Sequence, residues 1–179
     1  KKRIKNVFYA FEDPDTRTFR KAKKILIKQG ITTKLIRTRR YKKFYKSYFI
    51  NKKFSIPFVT AKIAISKDYF TINKKNKWIT NQKSRNLVHL FRSRYDCILS
   101  TSKSINQDDS LLNCRIDGLN NNKPDLFIID LKLKLKKKLS LNKFLKIRKT
   151  FLITSKINAH KTSIYKKLGY KIIIINKLE

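Results

Sequence analysis

Most catalytic and cofactor motifs are built around cysteine, histidine and glycine. This chain has two cysteines, two histidines and three glycines in 179 residues. Cys97 and Cys114 stand 17 residues apart, and His89 and His160 are isolated. Tetrahedral zinc needs several soft ligands converging from close spacings, and neither a CxxC nor an HxE occurs. Three scattered glycines cannot supply a GxGxxG or Walker loop. No local motif orders Ser, His and Asp for nucleophilic catalysis. The remaining chemistry-bearing types, arginine, aspartate and tryptophan, meet in residues 77–115. Trp78, the one tryptophan, stands where a helix pattern starts, and Arg92 where it ends; Asp108-Asp109 and Arg115 follow. Singly, each has an ordinary alternative. Trp78 suits core packing, Arg92 and Arg115 are two of many cations, and the aspartate pair suits a solvated turn or a cap. Both cysteines read as passive, and His89 as a helix-surface residue.

The elements that would position these residues follow from periodicity. Residues 5–10 (KNVFYA) form a short apolar strand. Asp13-Pro14-Asp15 is a turn whose carboxylates suit capping of the next helix. Phe19, Ala22, Ile25 and Leu26 recur at helical spacing, Gly30 stops that helix, and 31–36 is a second strand. This order is a parallel α/β unit. In 37–51, Tyr41, Phe44, Tyr45 and Tyr48 give one amphipathic helix with an aromatic face. Residues 57–66 (PFVTAKIAIS) read as a strand opening on proline, and 68–77 as a polar loop. Residues 80–92 form a helix with Thr80 as N-cap and Leu87, Leu90 and Phe91 as its apolar face. A strand at 95–100 leads to an irregular stretch, 101–114. Strands follow at 125–130 and 150–154. Leu131, Leu133 and Leu135 alternate with lysines as in an edge strand. A helix over 162–168, stopped by Gly169, precedes a last strand, 170–175.

Composition bounds the class. Lys+Arg is 46 and Asp+Glu 11, a formal net charge of +35, while 41% of residues are hydrophobic, with 12 Phe and 8 Tyr. That apolar content suffices for a core and argues against wholesale disorder. No apolar run approaches the ~18 residues of a membrane span, and the basic N-terminus is not followed by a signal-peptide core. Two cysteines fit a reducing compartment. The chain has no Met, so it is expected to be processed or a piece of something longer. The charge has two readings. Polyanion binding is the default for a strongly basic chain. The lysines are nevertheless spread throughout, and abundant Lys, Ile, Asn, Phe and Tyr is what A+T-rich codons produce.

Taken in order, the motifs closely resemble the reductase domain of the bifunctional riboflavin-biosynthesis deaminase/reductases of the RibD type. The family's "WIT" appears as Trp78-Ile79-Thr80, its V-x-x-L-R helix as Val88-His89-Leu90-Phe91-Arg92, and its "DAIL" as Asp96-Cys97-Ile98-Leu99. Its "GTV" appears as Lys103-Ser104-Ile105, and its "DDP-x-L-T-x-R" as Asp108-Asp109-Ser110-Leu111-Leu112-Asn113-Cys114-Arg115. Upstream, residues 57–68 resemble the family's first reductase strand. Residues 7–33, with an "A-x-x-D-P" turn at Ala10 to Pro14, resemble the end of its deaminase domain. This chain departs from the pattern at Tyr69, where the family has Gly, and at Ser110, where it has Pro.

The resemblance implies an α/β fold. Residues 1–51 would end a cytidine-deaminase-like α/β/α domain, and 55–179 would form most of a dihydrofolate-reductase-like domain with a mixed central sheet. The zinc-binding half of the deaminase would lie before Lys1, and the reductase's glycine-rich segment after Glu179. Ala64, Trp78, Ser104 and Asp108 would line an NADPH site. Asn76, Arg92, Leu112 and Arg115 would contact a phosphorylated ribosylaminopyrimidine. The implied protein is cytoplasmic and homo-oligomeric, with no membrane or nucleic-acid partner. A basic nucleic-acid-binding or ribosome-associated protein is the rival reading.

Overall fold

The computed structural model describes residues 3–36, 39–71, 78–119 and 124–176. The chain divides into two compact units, Lys1–Ile63 and Ala64–Glu179.

In the first unit, strand β1 (Asn6–Tyr9), helix α1 (Lys21–Lys28) and strand β2 (Thr32–Leu35) form the expected parallel pair. The Asp13-Pro14-Asp15 carboxylates do not cap α1. Its N-cap is Arg20, which makes no side-chain cap bond. Asp13 instead accepts from the Asp15 amide, and Asp15 from the Arg17 amide, both at 3.0 Å, so the carboxylates are consumed in shaping the turn. The single aromatic helix expected over 37–51 is two helices, α2 (Arg39–Phe44) and α3 (Lys46–Phe54), meeting at Tyr45. Tyr45, at the break, and Phe49 both pack edge-to-face with the Phe11 ring, with centroids 4.9 and 4.8 Å away.

Residues 57–66 take no place in either sheet, although their composition predicts a strand. A β-rich sequence becomes a strand only where another backbone offers a ladder. Val59 and Ile63 remain exposed.

The second unit holds the core. Helix α4 (Gln82–Arg94) is capped by Asn81, not Thr80: the Asn81 side chain accepts from the Ser84 amide at 2.9 Å. Of its expected apolar face, Leu87 and Phe91 are exposed. The stretch expected to be irregular contains helix α5 (Ser102–Asp108). Thr101 caps it, and Ile105 plugs its inner side into the core. Strands β3 (Cys97–Thr101), β4 (Asp125–Ile129), β5 (Thr150–Ser155) and β6 (Lys171–Ile175) form one sheet in that order, every described pairing parallel. Short 3-10 helices at Ser140–Phe144 and Lys156–Lys161, and helix α6 (Ser163–Leu168), complete the crossovers.

Register explains the burial. Leu126 and Ile128 on β4 and Leu152 on β5 point to one face, where Ile105, Leu135, Leu141, Tyr165 and Tyr170 cover them. Phe127 and Phe151, adjacent in register, stack on the other face with centroids 4.4 Å apart. Gly169 ends α6 at φ +107°, and a Cβ there would meet the Leu145 Cβ at 3.2 Å.

The lysine-rich alternation at 131–135 is not an edge strand. Asp130, nearly fully buried, accepts from the Lys134 and Leu135 amides and from the Ser102 hydroxyl. Those bonds coil the segment back, with Leu133 at φ 52° and Leu135 inserted into the core. A carboxylate that captures two successive amides leaves them no ladder to join.

Candidate functional site

Helix geometry places His89 and Arg92, three residues apart, on one face of α4. Both reach the segment after α5. The Asn113 carbonyl accepts from Arg92 Nη1 at 3.1 Å and from His89 Nδ1 at 3.1 Å. Arg115 Nη2 lies 3.4 Å from His89 Nε2. A carbonyl offers no proton, so Nδ1 carries the hydrogen and Nε2 is left as an acceptor facing Arg115.

The two preceding carbonyls are held from the other side. Arg148, buried between the 3-10 helix and β5, donates from Nη1 to the Leu111 carbonyl at 2.6 Å and from Nη2 to the Leu112 carbonyl at 3.0 Å. Its Nε donates to the Pro124 carbonyl at 2.6 Å. Three consecutive carbonyls, 111 to 113, are thus strapped to cationic or imidazole donors. The strap holds Leu112 at φ 50°, a backbone region that branched residues rarely adopt.

The electrostatics of this cluster are one-sided. Among the described residues, no carboxylate forms an ion pair with Arg92, Arg115 or Arg148; the ion pairs described all lie in the first unit. Burial, reinforced by Arg115, lowers the Arg92 pKa below the usual arginine value. Burial, with Arg92 nearby, lowers that of Arg148 to about 10. His89 is lowered by burial first and then by the two guanidiniums, which keeps its imidazole neutral at neutral pH. Asn113 is buried, and its Oδ1 has no hydrogen-bond partner among the described residues. Gathered guanidiniums without a paired carboxylate suit an anion, above all a phosphate, which accepts arginine's planar fork.

The structure therefore brings three expected residues together: Arg92, Leu112 and Arg115. Ser104 and Asp108 form a second group, one turn apart and exposed on α5. They offer a hydroxyl and a carboxylate suited to sugar hydroxyls. The aspartate pair divides its work. Asp109 caps the 3-10 helix, accepting from the Ser140 amide at 2.9 Å and the Ser140 hydroxyl at 2.6 Å, and this lowers its pKa. Asp108 stays exposed.

Trp78 is not a core residue: 55% of its surface is exposed, and the Arg85 guanidinium lies 4.8 Å from its ring centroid. Ala64 sits half-buried outside any helix or strand. Asn76 lies outside the described residues. Two cavities lie apart from the arginine cluster, one of about 230 Å³ over β1 and α1 and an open one of about 480 Å³ beside Asp109. Convergent side chains, not cavity size, mark the site here. Among the described residues, no three His, Cys, Asp or Glu side chains gather to hold a metal.

His89, Asn113 and Arg148 escape the sequence reading. His89 and Arg92 share a helix face at i, i+3, a signal that was available. Arg148 stands among other cations and carries no such signal.

Comparison with known proteins agrees with the order of motifs. A family model described as the RibD C-terminal domain matches residues 57–177. The riboflavin biosynthesis protein RibD of Buchnera aphidicola subsp. Baizongia pistaciae is 33% identical over 126 residues, covering 69% of this chain and 34% of the relative. That of Haemophilus influenzae is 32% identical over 117 residues, covering 64% and 32%. The chain thus spans about a third of the curated relatives it matches. Acinetobacter baumannii RibD superposes with a TM-score of 0.77 over 97% of this chain and 49% of that one, at 20% identity. A Thermotoga maritima deaminase/reductase gives 0.74 over 96% and 54%, also at 20%. These two likenesses show the fold, α/β as the motifs imply.

Proposed function

The chain belongs to the RibD C-terminal domain family, and from that premise we propose that it carries an NADPH-dependent reductase step of riboflavin biosynthesis. The substrate is the deaminated phosphoribosylamino-pyrimidine, and the product its ribitylamino counterpart. The observation that carries this reading is the gathering of Arg92, bound to the Asn113 carbonyl, and Arg115, linked to that carbonyl through His89, with no ion-paired carboxylate among the described residues.

Each residue then has a task. Arg92 and Arg115 hold the substrate phosphate, and Leu112 and Asn76 contact the rest of the molecule. Fixing the phosphate fixes the distance to the reacting sugar carbon, the orientation on which hydride transfer depends. Ser104 and Asp108 take cofactor hydroxyls, the exposed Trp78 plane covers a flat ring against water, and Ala64 lines the cofactor's path. Bound NADPH supplies the hydride that reduces C1′ of the opened ribose. Residues 1–51 belong to a deaminase portion and 55–179 to the reductase portion. The working protein is a cytoplasmic homo-oligomer.

The test is NADPH oxidation with that pyrimidine as substrate. Arg92→Ala and Arg115→Ala are each expected to raise KM about tenfold or more, the loss of one charge-assisted contact worth ~1.5–3 kcal/mol. Absent turnover together with tight, strongly salt-dependent RNA binding would overturn the proposal and favour the nucleic-acid reading.

A further inference from the structure

We infer that His89 is a positioning residue: its imidazole bridges the Asn113 carbonyl and the Arg115 guanidinium, and so aims Arg115 beside Arg92 at a single phosphate group. The inference rests on the reading that the two arginines take the substrate phosphate.

Arg115 is exposed and long, and a free arginine side chain samples many rotamers. Among the described residues, its hydrogen-bond partner is His89 Nε2, at 3.4 Å. The opposite ring nitrogen is committed to the Asn113 carbonyl at 3.1 Å, which fixes both the ring plane and the tautomer. Arg92 donates to that same carbonyl at 3.1 Å. One carbonyl oxygen therefore sets the geometry of all three side chains.

The chemistry of the bridge matters. Two guanidiniums repel each other, so something must hold them together before an anion arrives. A carboxylate between them would do so but would cancel the charge needed for the ligand. A neutral imidazole acceptor holds Arg115 in place and leaves both positive charges available. His89 is half-buried and flanked by two arginines, which keeps it neutral. Protonation would turn Nε2 into a donor facing Arg115 and break the bridge.

Two substitutions separate the halves of the bridge. In His89→Asn the side-chain amide can replace the Nδ1 donor to Asn113 but cannot reach Arg115. In His89→Gln the longer side chain places a carbonyl oxygen where Nε2 accepted. The 179-residue chain is titrated with ribose 5-phosphate, a phosphomonoester probe, by calorimetry. His89→Asn is expected to bind about tenfold more weakly, as Arg115→Ala does, a loss typical of one charge-assisted bond. His89→Gln is expected to recover most of the affinity. The His89→Asn/Arg115→Ala double variant should bind no more weakly than Arg115→Ala.

Nitrogen NMR of the wild-type chain supplies an independent reading. At neutral pH His89 Nε2 should resonate as an unprotonated ring nitrogen. Its signal should move when ribose 5-phosphate is added to wild type but not to Arg115→Ala. Full affinity in His89→Asn, alongside lost affinity in Arg115→Ala, would overturn the bridge while leaving the phosphate site standing. Equal loss in His89→Asn and His89→Gln, or a protonated Nε2, would also overturn it. If neither Arg92→Ala nor Arg115→Ala weakens binding, the phosphate reading falls, and the bridge with it.

Discussion

The unit Lys1–Ile63 and the unit Ala64–Glu179 are held together by different forces. Among the described residues of the first, Asp15 alone is buried. Its carboxylate meets Arg17 at 2.6 Å and Lys52 at 3.1 Å, while the neighbouring Asp13 accepts from the Thr18 and Tyr48 hydroxyls, each at 2.7 Å. The second unit buries eight apolar and aromatic side chains in one cluster, from Ile105 to Tyr170. The first unit is tied by charge and hydrogen bonds around a turn, the second by apolar area. Apolar burial is indifferent to proton concentration, whereas a network of carboxylates is not. The two units should therefore fail under different stresses.

The largest expected effect tests the apolar side. Leu152 is fully buried on a central strand, so Leu152→Ala should cost about 2–5 kcal/mol through lost transfer energy and the cavity left behind. Urea unfolding followed by a probe in each unit should show the loss in the second unit and an unchanged transition in the first. A matching drop in both would break the comparison.

Acid titration tests the polar side. The Arg17 guanidinium, the Arg17 amide and Lys52 hold the Asp15 carboxyl well below the usual carboxylate range, and Thr18, the Asp15 amide and Tyr48 lower Asp13. For such groups the stabilisation is present above the unfolded carboxylate pKa of ~3.9 and is lost as pH falls toward the depressed folded value. Near-UV circular dichroism of the Phe11, Tyr45 and Phe49 cluster should therefore decay below about pH 4. Asp15→Asn should weaken the unit at neutral pH and flatten that acid limb. An acid limb unchanged in Asp15→Asn would remove Asp15 from the account.

At the alkaline end, Tyr48 is raised to about 12 by its bond to Asp13 and by desolvation. The protonated phenol's contribution is complete below the unfolded tyrosine value of ~10 and is lost as pH rises through about 12. Spectrophotometric titration should find Tyr48 ionising late alongside Tyr165 and Tyr170, which burial raises, and Tyr48→Phe should remove one of these late steps.

The smallest effect concerns a stretch of the second unit that buries nothing. Residues 64–101 contain no buried side chain among those described, so α4 depends on local terms more than β4 or β5 do. Asn81→Ala should remove its N-cap at a cost of about 1 kcal/mol. Faster amide exchange should be confined to the first turn of α4.

The contrast also explains what the sequence could show. Elements whose signal is local were legible: β1, α1 and β2, strands β4, β5 and β6, and α6 with Gly169 as its stop. Elements whose conformation depends on a distant partner were not. Residues 57–66 have strand composition but pair with none of the described strands. Residues 131–135 alternate like a strand, yet Asp130 takes their amides. Helix α5 was hidden in a polar sequence whose one deep anchor is Ile105. The same division runs through the site. The meeting of Arg92, Leu112 and Arg115 in one place was expected from the order of their motifs. Arg148 was not, because its role comes from three carbonyls brought to it by the fold.

In the second unit's sheet, strand order equals chain order: β3, β4, β5, β6. Among the described strands, each after the first pairs with the one made just before it. Loop-closure cost enters in small instalments, and contact order stays low for a parallel sheet. The sheet can therefore assemble progressively as the chain leaves the ribosome, one crossover at a time. Phe127 and Phe151, one on each of two successive strands, would then mark a single discrete event in that sequence, the docking of β5.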